Sequence, residues 1–258
     1  AVGASLALWV VGIALTLLPA WGLGITLTHW IVTRIVPPRV LPKLDFTEGI
    51  PPDCATVVVM PVLIANPAEI PELLDRLEAH RLTNADPVLR FALLSDLADG
   101  PEERMPGDIA VEQALINGIR QLNSRYGQAG VEPFHLLHRP RRFNPSEGCW
   151  MGWERKRGKL EQFNDFVLSG DASAYSVLEG NLDALRGVRF VVTLDADTIL
   201  PPGSVRRLAG ALAHPLNTAE FDAASGRVRS GYTIIQPRVE ISPVSGSRGA
   251  SSRGKAPR

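Results

Sequence analysis

The sequence has no excess of either charge, since its 27 basic and 27 acidic side chains cancel across 258 residues. No net field therefore favours a nucleic-acid partner. It has only two cysteines, Cys54 and Cys149, far apart and in no CxxC or Cys/His spacing. That excludes a disulfide framework and a zinc ribbon, and in a cytoplasmic domain both read as free thiols. The five histidines, His29, His80, His135, His138 and His214, form no HExxH or related pattern. His135 and His138 fall in or beside an apolar strand and read as structural. Finally, residues 1–33 contain no Asp, Glu, Lys or Arg, and His29 is their only titratable side chain.

An uncharged run of that length exceeds the ~20 apolar residues that cross ~30 Å of hydrocarbon. The lack of a basic start and the long apolar stretch speak against a cleaved signal peptide. Trp9, Trp21 and Trp30 mark interfacial depths, and Pro19 leaves two arrangements open. One is a span followed by a shorter interfacial helix; the other is a single long tilted helix. The first basic residues after the run are Arg34, Arg39 and Lys43. By the positive-inside bias they place the rest of the chain on the cytoplasmic side of the membrane. The chain opens on Ala1, so charged residues upstream would reset this orientation.

Beyond the run, Pro37, Pro38, Pro42, Pro51 and Pro52 predict an extended linker over 37–54. Apolar runs and helical patterns then alternate. Strands are expected at 55–60 (closed by Pro61), 88–94, 133–137, 189–194 and 232–236. Helices are expected at 71–81, 109–122, about 158–168 and 203–213. Residues 139–158 are basic, aromatic and aperiodic, and read as a long functional loop. Such alternation predicts an α/β domain over 55–241, with a mostly parallel sheet covered by helices on both faces. Residues 242–258 are Ser/Gly/Arg/Pro-rich and predict a disordered tail.

The chemistry concentrates at strand ends. Asp195 and Asp197 come directly after the apolar run Phe190–Val192, and their i, i+2 spacing puts both on one side of the chain. Two carboxylates ~4 Å apart repel by about 4 kcal/mol at an effective dielectric of 20. A bound Mg²⁺ or Mn²⁺ removes that cost and supplies counter-charge for a diphosphate. The structural alternative is a strand-end turn in which both acids merely cap the next segment. Asp96 ends a second apolar run, and Lys159 stands next to Gly158 at an expected helix start, where a phosphate would also meet helix N–H groups.

These residues lie in longer stretches that resemble a known family: LPKLDFTEGI (41–50), FALLSDLAD (91–99), NPSEGCWMGWERKRGK (144–159), VTLDADTIL (192–200) and HPLN (214–217). The chain resembles membrane-bound, family 2-like glycosyltransferases of the GT-A fold, and more narrowly the family 84 glycosyltransferase region of cyclic β-1,2-glucan synthases. The resemblance implies a nucleotide-diphospho-sugar transferase fold behind a transmembrane or interfacial helical segment (1–36). It implies UDP-glucose as donor, Mg²⁺ or Mn²⁺ as cofactor, and inverting transfer to a growing β-1,2-glucan. By position, Asp96 matches the aspartate that contacts uracil or ribose, and Lys159 the lysine facing the diphosphate. Asp195 matches the nucleotide-side acid of DxD, and Asp197 the metal ligand.

The family also carries a downstream catalytic base and a Gln-x-x-Arg-Trp helix, and Gln236-Pro-Arg238 is not that motif. The acids remaining after DxD are Glu220, Asp222 and Glu240. The chain is therefore expected to be a truncated form with the donor half of the site and no base. Two other readings are open. One is a truncated product that binds nucleotide sugar without transferring it. The other is a haloacid-dehalogenase-type phosphotransferase, whose DxDxT would have to stand after the first strand.

Overall fold

The computed structural model describes residues 2–36, 40–128 and 130–238. Arg39, Pro37, Pro38, Glu240 and the expected tail over 242–258 lie outside them. The chain divides into two compact units between Leu41 and Pro42. The first is one continuous helix, α1 (Val2–Ile35), which passes through Pro19. Of the two arrangements left open by that proline, the single helix is the one adopted. At 1.5 Å per residue it is about 51 Å long. Its stretch Leu8–Ile35 has a mean hydropathy of 1.9 and is long and apolar enough to cross a membrane. The hydroxyls of Thr16, Thr26, Thr28 and Thr33 donate to carbonyls one turn back, at 2.8–3.0 Å. These hydroxyls are thus not left unpaired in an apolar setting.

The second unit is a mixed α/β fold. In chain order it contains β1 (Thr56–Ile64), α2 (Ile70–Thr83), β2 (Leu89–Leu97), α3 (Asp108–Tyr126) and β3 (Phe134–Arg139). A hairpin of β4 (Arg142–Asn144) and β5 (Cys149–Met151) comes next, then α4 (Arg155–Ser169), β6 (Val177–Glu179) and α5 (Asp183–Arg186). Last come β7 (Phe190–Thr193), α6 (Ser204–Ala213), and a second hairpin of β8 (Glu220–Phe221) and β9 (Val228–Ser230). The main sheet has the order β6-β3-β2-β1-β7, with β6 antiparallel and the rest parallel.

Period-two alternation sends the strands' side chains to two separate cores. Val58, Met60, Val62, Phe91, Leu93 and Leu136 pack with Leu77, Leu115 and Val205 of α2, α3 and α6. Val57, Val59, Ala92, Leu94 and Leu137 pack on the other face with Phe163, Phe166 and Leu185 of α4 and α5. Both faces being covered explains why these strands read as unbroken apolar runs.

Several expectations need correction. β1 does not stop at Pro61 but continues to Ile64. β7 pairs with β1 only as far as Val59, whose carbonyl accepts from Leu194 N at 2.9 Å. Backbone groups alternate sides, so Pro61 faces the edge where β7 has already ended, and its missing N–H breaks no ladder bond. Residues 139–158 are not a loop: Arg139 is the end of β3, the β4–β5 hairpin occupies the middle, and α4 begins at Arg155 rather than near Gly158. The strand expected at 232–236 is absent; Tyr232 makes only an isolated bridge with Thr218, and the ladder there is β8–β9.

Candidate functional site

Asp96 and the DxD turn both sit at the carboxyl ends of parallel strands, where open α/β sheets gather ligands. Asp96 is the penultimate residue of β2, level with Leu63 of β1 and Arg139 of β3. Its side chain points to the α4 face, because Ala92 and Leu94 do. There it is gripped by two buried cations. Arg139 donates a fork, Nε to Oδ1 at 2.7 Å and Nη2 to Oδ2 at 2.6 Å, while Lys159 Nζ lies 3.1 Å from Oδ2. All three side chains are buried. Burial pushes the Lys159 ammonium below the ordinary lysine range, and the neighbouring Asp96 carboxylate opposes that shift.

Arg139 does more than neutralise Asp96. Its remaining N–H groups donate to Trp153 O at 3.0 Å, Gln162 Oε1 at 2.7 Å and Arg155 O at 3.1 Å. This clamps the segment Gly152–Arg155, in which Glu154 and Arg155 adopt positive φ of 51° and 48°. Two consecutive non-glycine residues in that region cost about 1–2 kcal/mol each, so the clamp holds the turn against its own preference. The fit leaves no spare room: a Cβ on Gly152 would lie 2.4 Å from Asp96 Oδ2, and one on Gly158 would lie 2.3 Å from Trp153 O.

Asp195 and Asp197 are arranged differently. Both are exposed, in a turn closed by Thr198 N donating to Asp195 O at 2.9 Å. Arg76 of α2 donates to Ala196 O and fixes the turn from below. Lys156, in the first turn of α4, pairs with Asp195 Oδ1. Asp197 has no side-chain partner among the described residues. The turn comes after β7, the fourth parallel strand in chain order, so the first-strand position that a haloacid-dehalogenase nucleophile requires is not met.

Lys159 and Lys156 thus stand three residues apart on α4 with opposite fates. The Lys159 side chain is 4% exposed, with Nζ held by Asp96 and by Val62 O. That of Lys156 is 53% exposed and reaches the DxD turn. The sequence placed Lys159 at a helix start; in the structure it lies one turn inside, and the first turn belongs to Arg155, Lys156 and Arg157. Arg139, Gly152, Lys156 and Gln162 were not singled out from sequence. The signal available for Arg139 was that a buried Asp96 needs a buried cation, and the neighbouring strand end supplies one.

A further group of ligand atoms, from Asp99, Glu147 and Cys149, lies within 4.8 Å of one another and has the donors to chelate a divalent metal. Arg155 Nη2 already bridges its two carboxylates at 2.9 and 2.8 Å, so a metal there would compete with a guanidinium. Ser95, His138 and Glu112 resemble a nucleophilic relay, with Ser95 Oγ 2.8 Å from His138 Nδ1 and Glu112 Oε1 3.9 Å from Nε2. Ser95 is fully buried beneath α3, however, and no substrate carbonyl can reach it. Burial drives both His135 and His138 down to about 4. Cys54 and Cys149 are free thiols. Glu220 accepts from Ser230 Oγ at 2.7 Å and Asp222 caps the next turn through Ser225 N at 2.7 Å, so both serve the β8–β9 hairpin.

No protein-family model matches the chain. Over 234 residues, 91% of its length, it is 41% identical to the cyclic beta-(1,2)-glucan synthase NdvB of Rhizobium meliloti (strain 1021). The chain is homologous to a segment of that protein. It spans only 8% of the length of NdvB.

Proposed function

We propose that residues 42–238 are the donor-binding part of a membrane-bound, family 2-like glycosyltransferase of the GT-A type, serving β-1,2-glucan synthesis from UDP-glucose. The observation that carries this reading is the DxD turn. Two exposed carboxylates stand at the carboxyl end of a parallel strand, beside a strongly basic helix start, in a chain homologous to a segment of a glucan synthase. Hard oxygen donors, one of them unpartnered among the described residues, suit Mg²⁺ or Mn²⁺. Asp197 would hold the cation and Asp195 the nucleotide side; the cation supplies counter-charge to a departing diphosphate.

The buried cluster keeps some capacity for the donor. A carboxylate offers about four lone-pair directions and an ammonium three N–H groups. Asp96 uses three, leaving one on Oδ1 for a uracil or ribose donor; Lys159 uses two, leaving one N–H for the diphosphate. In this reading α1 anchors the enzyme in the bacterial inner membrane, with the α/β unit on the cytoplasmic side where nucleotide sugars are made. Inverting transfer also needs a base beside the attacking hydroxyl. Glu220 and Asp222 are both tied into the β8–β9 hairpin, and in this reading neither serves as that base.

One set of measurements tests this. Calorimetry with UDP and saturating Mg²⁺ should show binding in the 258-residue chain that Asp197→Ala abolishes. Labelled UDP-glucose should be bound without release of β-1,2-glucan. Wild-type UDP affinity in Asp197→Ala would sink the metal role, and steady glucan formation by the purified chain would show that a base is present after all.

A further inference from the structure

The first turn of α4 carries three cations, and two are committed away from the DxD turn. Arg155 bridges Asp99 and Glu147, and Arg157 pairs with Glu154 and Glu161. Lys156 alone of the three reaches Asp195. Its position is not left to a flexible surface helix. Arg139 fixes two carbonyls beside it, Trp153 O and Arg155 O, and Arg76 fixes the turn that receives it through Ala196 O. Both ends of the Lys156–Asp195 pair are therefore anchored by buried or half-buried arginines, while the pair itself is open to solvent.

We propose that Lys156 is a positioning and diphosphate-contacting residue that exchanges partners on ligand arrival, a role that rests on the donor-site reading above. In the free protein its ammonium neutralises Asp195, standing where a divalent cation would otherwise supply the positive charge. A Mg²⁺ or Mn²⁺ held by Asp197 would put positive charge beside Asp195 as well, and Lys156 would then be free to turn to a diphosphate. Lys159 does not make the same exchange, because its ammonium is buried and leaving would break its contacts with both Asp96 and Val62 O. An exposed ion pair is worth about 0–1 kcal/mol, so the exchange costs little and folding does not depend on it.

The two halves of this exchange predict opposite signs from one substitution. Lys156→Gln removes a competitor for the cation and a donor for the diphosphate. By electron paramagnetic resonance, Mn²⁺ binding without nucleotide should tighten about threefold, within the ~0–1 kcal/mol such pairs contribute. Calorimetry at saturating Mn²⁺ should show UDP affinity weakened about tenfold, as for a lost charged hydrogen bond, and Lys156→Arg should restore most of it. Mn²⁺ signal that survives Asp197→Ala belongs to the Asp99–Glu147–Cys149 group and is subtracted. Unchanged Mn²⁺ affinity or unchanged UDP affinity in Lys156→Gln overturns the exchange while leaving the donor site standing. Absence of any Asp197-dependent Mn²⁺ or UDP binding in the unsubstituted chain removes the donor reading, and this inference with it.

Discussion

Two sets of carboxylates mark the same edge of one sheet, and they are built on opposite principles. Asp96 is buried, with three hydrogen-bonding cationic N–H groups on its two oxygens; Asp195 and Asp197 are exposed, with a single lysine on Asp195 and no side-chain partner on Asp197 among the described residues. A buried acid with three of its four acceptor directions taken by two buried cations chiefly holds structure. An exposed acid lacking partners costs nothing to keep ready. The helix α4 joins the two, rooted at Lys159 in the first cluster and presenting Lys156 to the second. Precision at the exposed site is thus inherited from the buried one.

The contrast is sharpest in folding stability. Asp96→Ala leaves Arg139 and Lys159 facing each other without an anion, and breaking a buried ion pair in this way costs about 3–5 kcal/mol. Asp197→Ala removes an exposed side chain that has no partner among the described residues, and should change stability by less than about 0.5 kcal/mol. Urea unfolding of the two variants side by side measures the difference; equal losses would erase the distinction drawn between the sites.

Acid should reveal the buried face next. His135 and His138 are held near 4 by burial, against an ordinary value of 6.5. Between those values the unfolded chain binds more protons than the folded one, so stability falls as pH drops from 6.5 toward 4 and is retained above 6.5. At pH ~5 the loss is about 2 kcal/mol per histidine on this arithmetic. Chemical denaturation from about pH 7.5 to about 4.5, compared with the His138→Phe variant, should show a shallower slope in the variant. An identical slope would mean that His138 is protonated in the fold. A third test concerns the clamp: Gly152→Ala forces a methyl against Asp96 and should cost about 1–3 kcal/mol. It should also weaken UDP binding through Lys156, whereas a stability loss without any change in binding would separate the two sites.

The alternation of strands and helices was readable from the sequence because burial on both faces makes runs such as Val57–Val59 uniformly apolar. α2 was readable because Leu73 and Leu77 recur on one face. What escaped detection was held by distant pairing rather than local pattern. β6 exists because it lines up against β3, helped by Arg120 and Glu179 at 2.9 Å. The β4–β5 hairpin is tied to the residues after β2 through the Gly100–Trp150 bridge. The start of α4 depends on Arg139, which lies 16 residues before Arg155, so neither its true first turn nor the division of labour between Lys156 and Lys159 had a local signature. The acids themselves, Asp96, Asp195 and Asp197, were legible as strand-end residues; that one is enclosed and two are open was not.

The short β7 has an effect on the outline of the molecule. On its β7 side, β1 runs five residues past the last paired residue, Val59, about 16 Å, so the sheet's rim steps down where the DxD turn leaves it. An unpaired strand margin of that length invites another chain to zip onto it. Pro61 stands in the middle of the step and offers no N–H, and such a gap in the row of donors is a recognised deterrent to strand addition. The step beside the DxD turn is therefore closed to an added strand at Pro61 by the backbone itself.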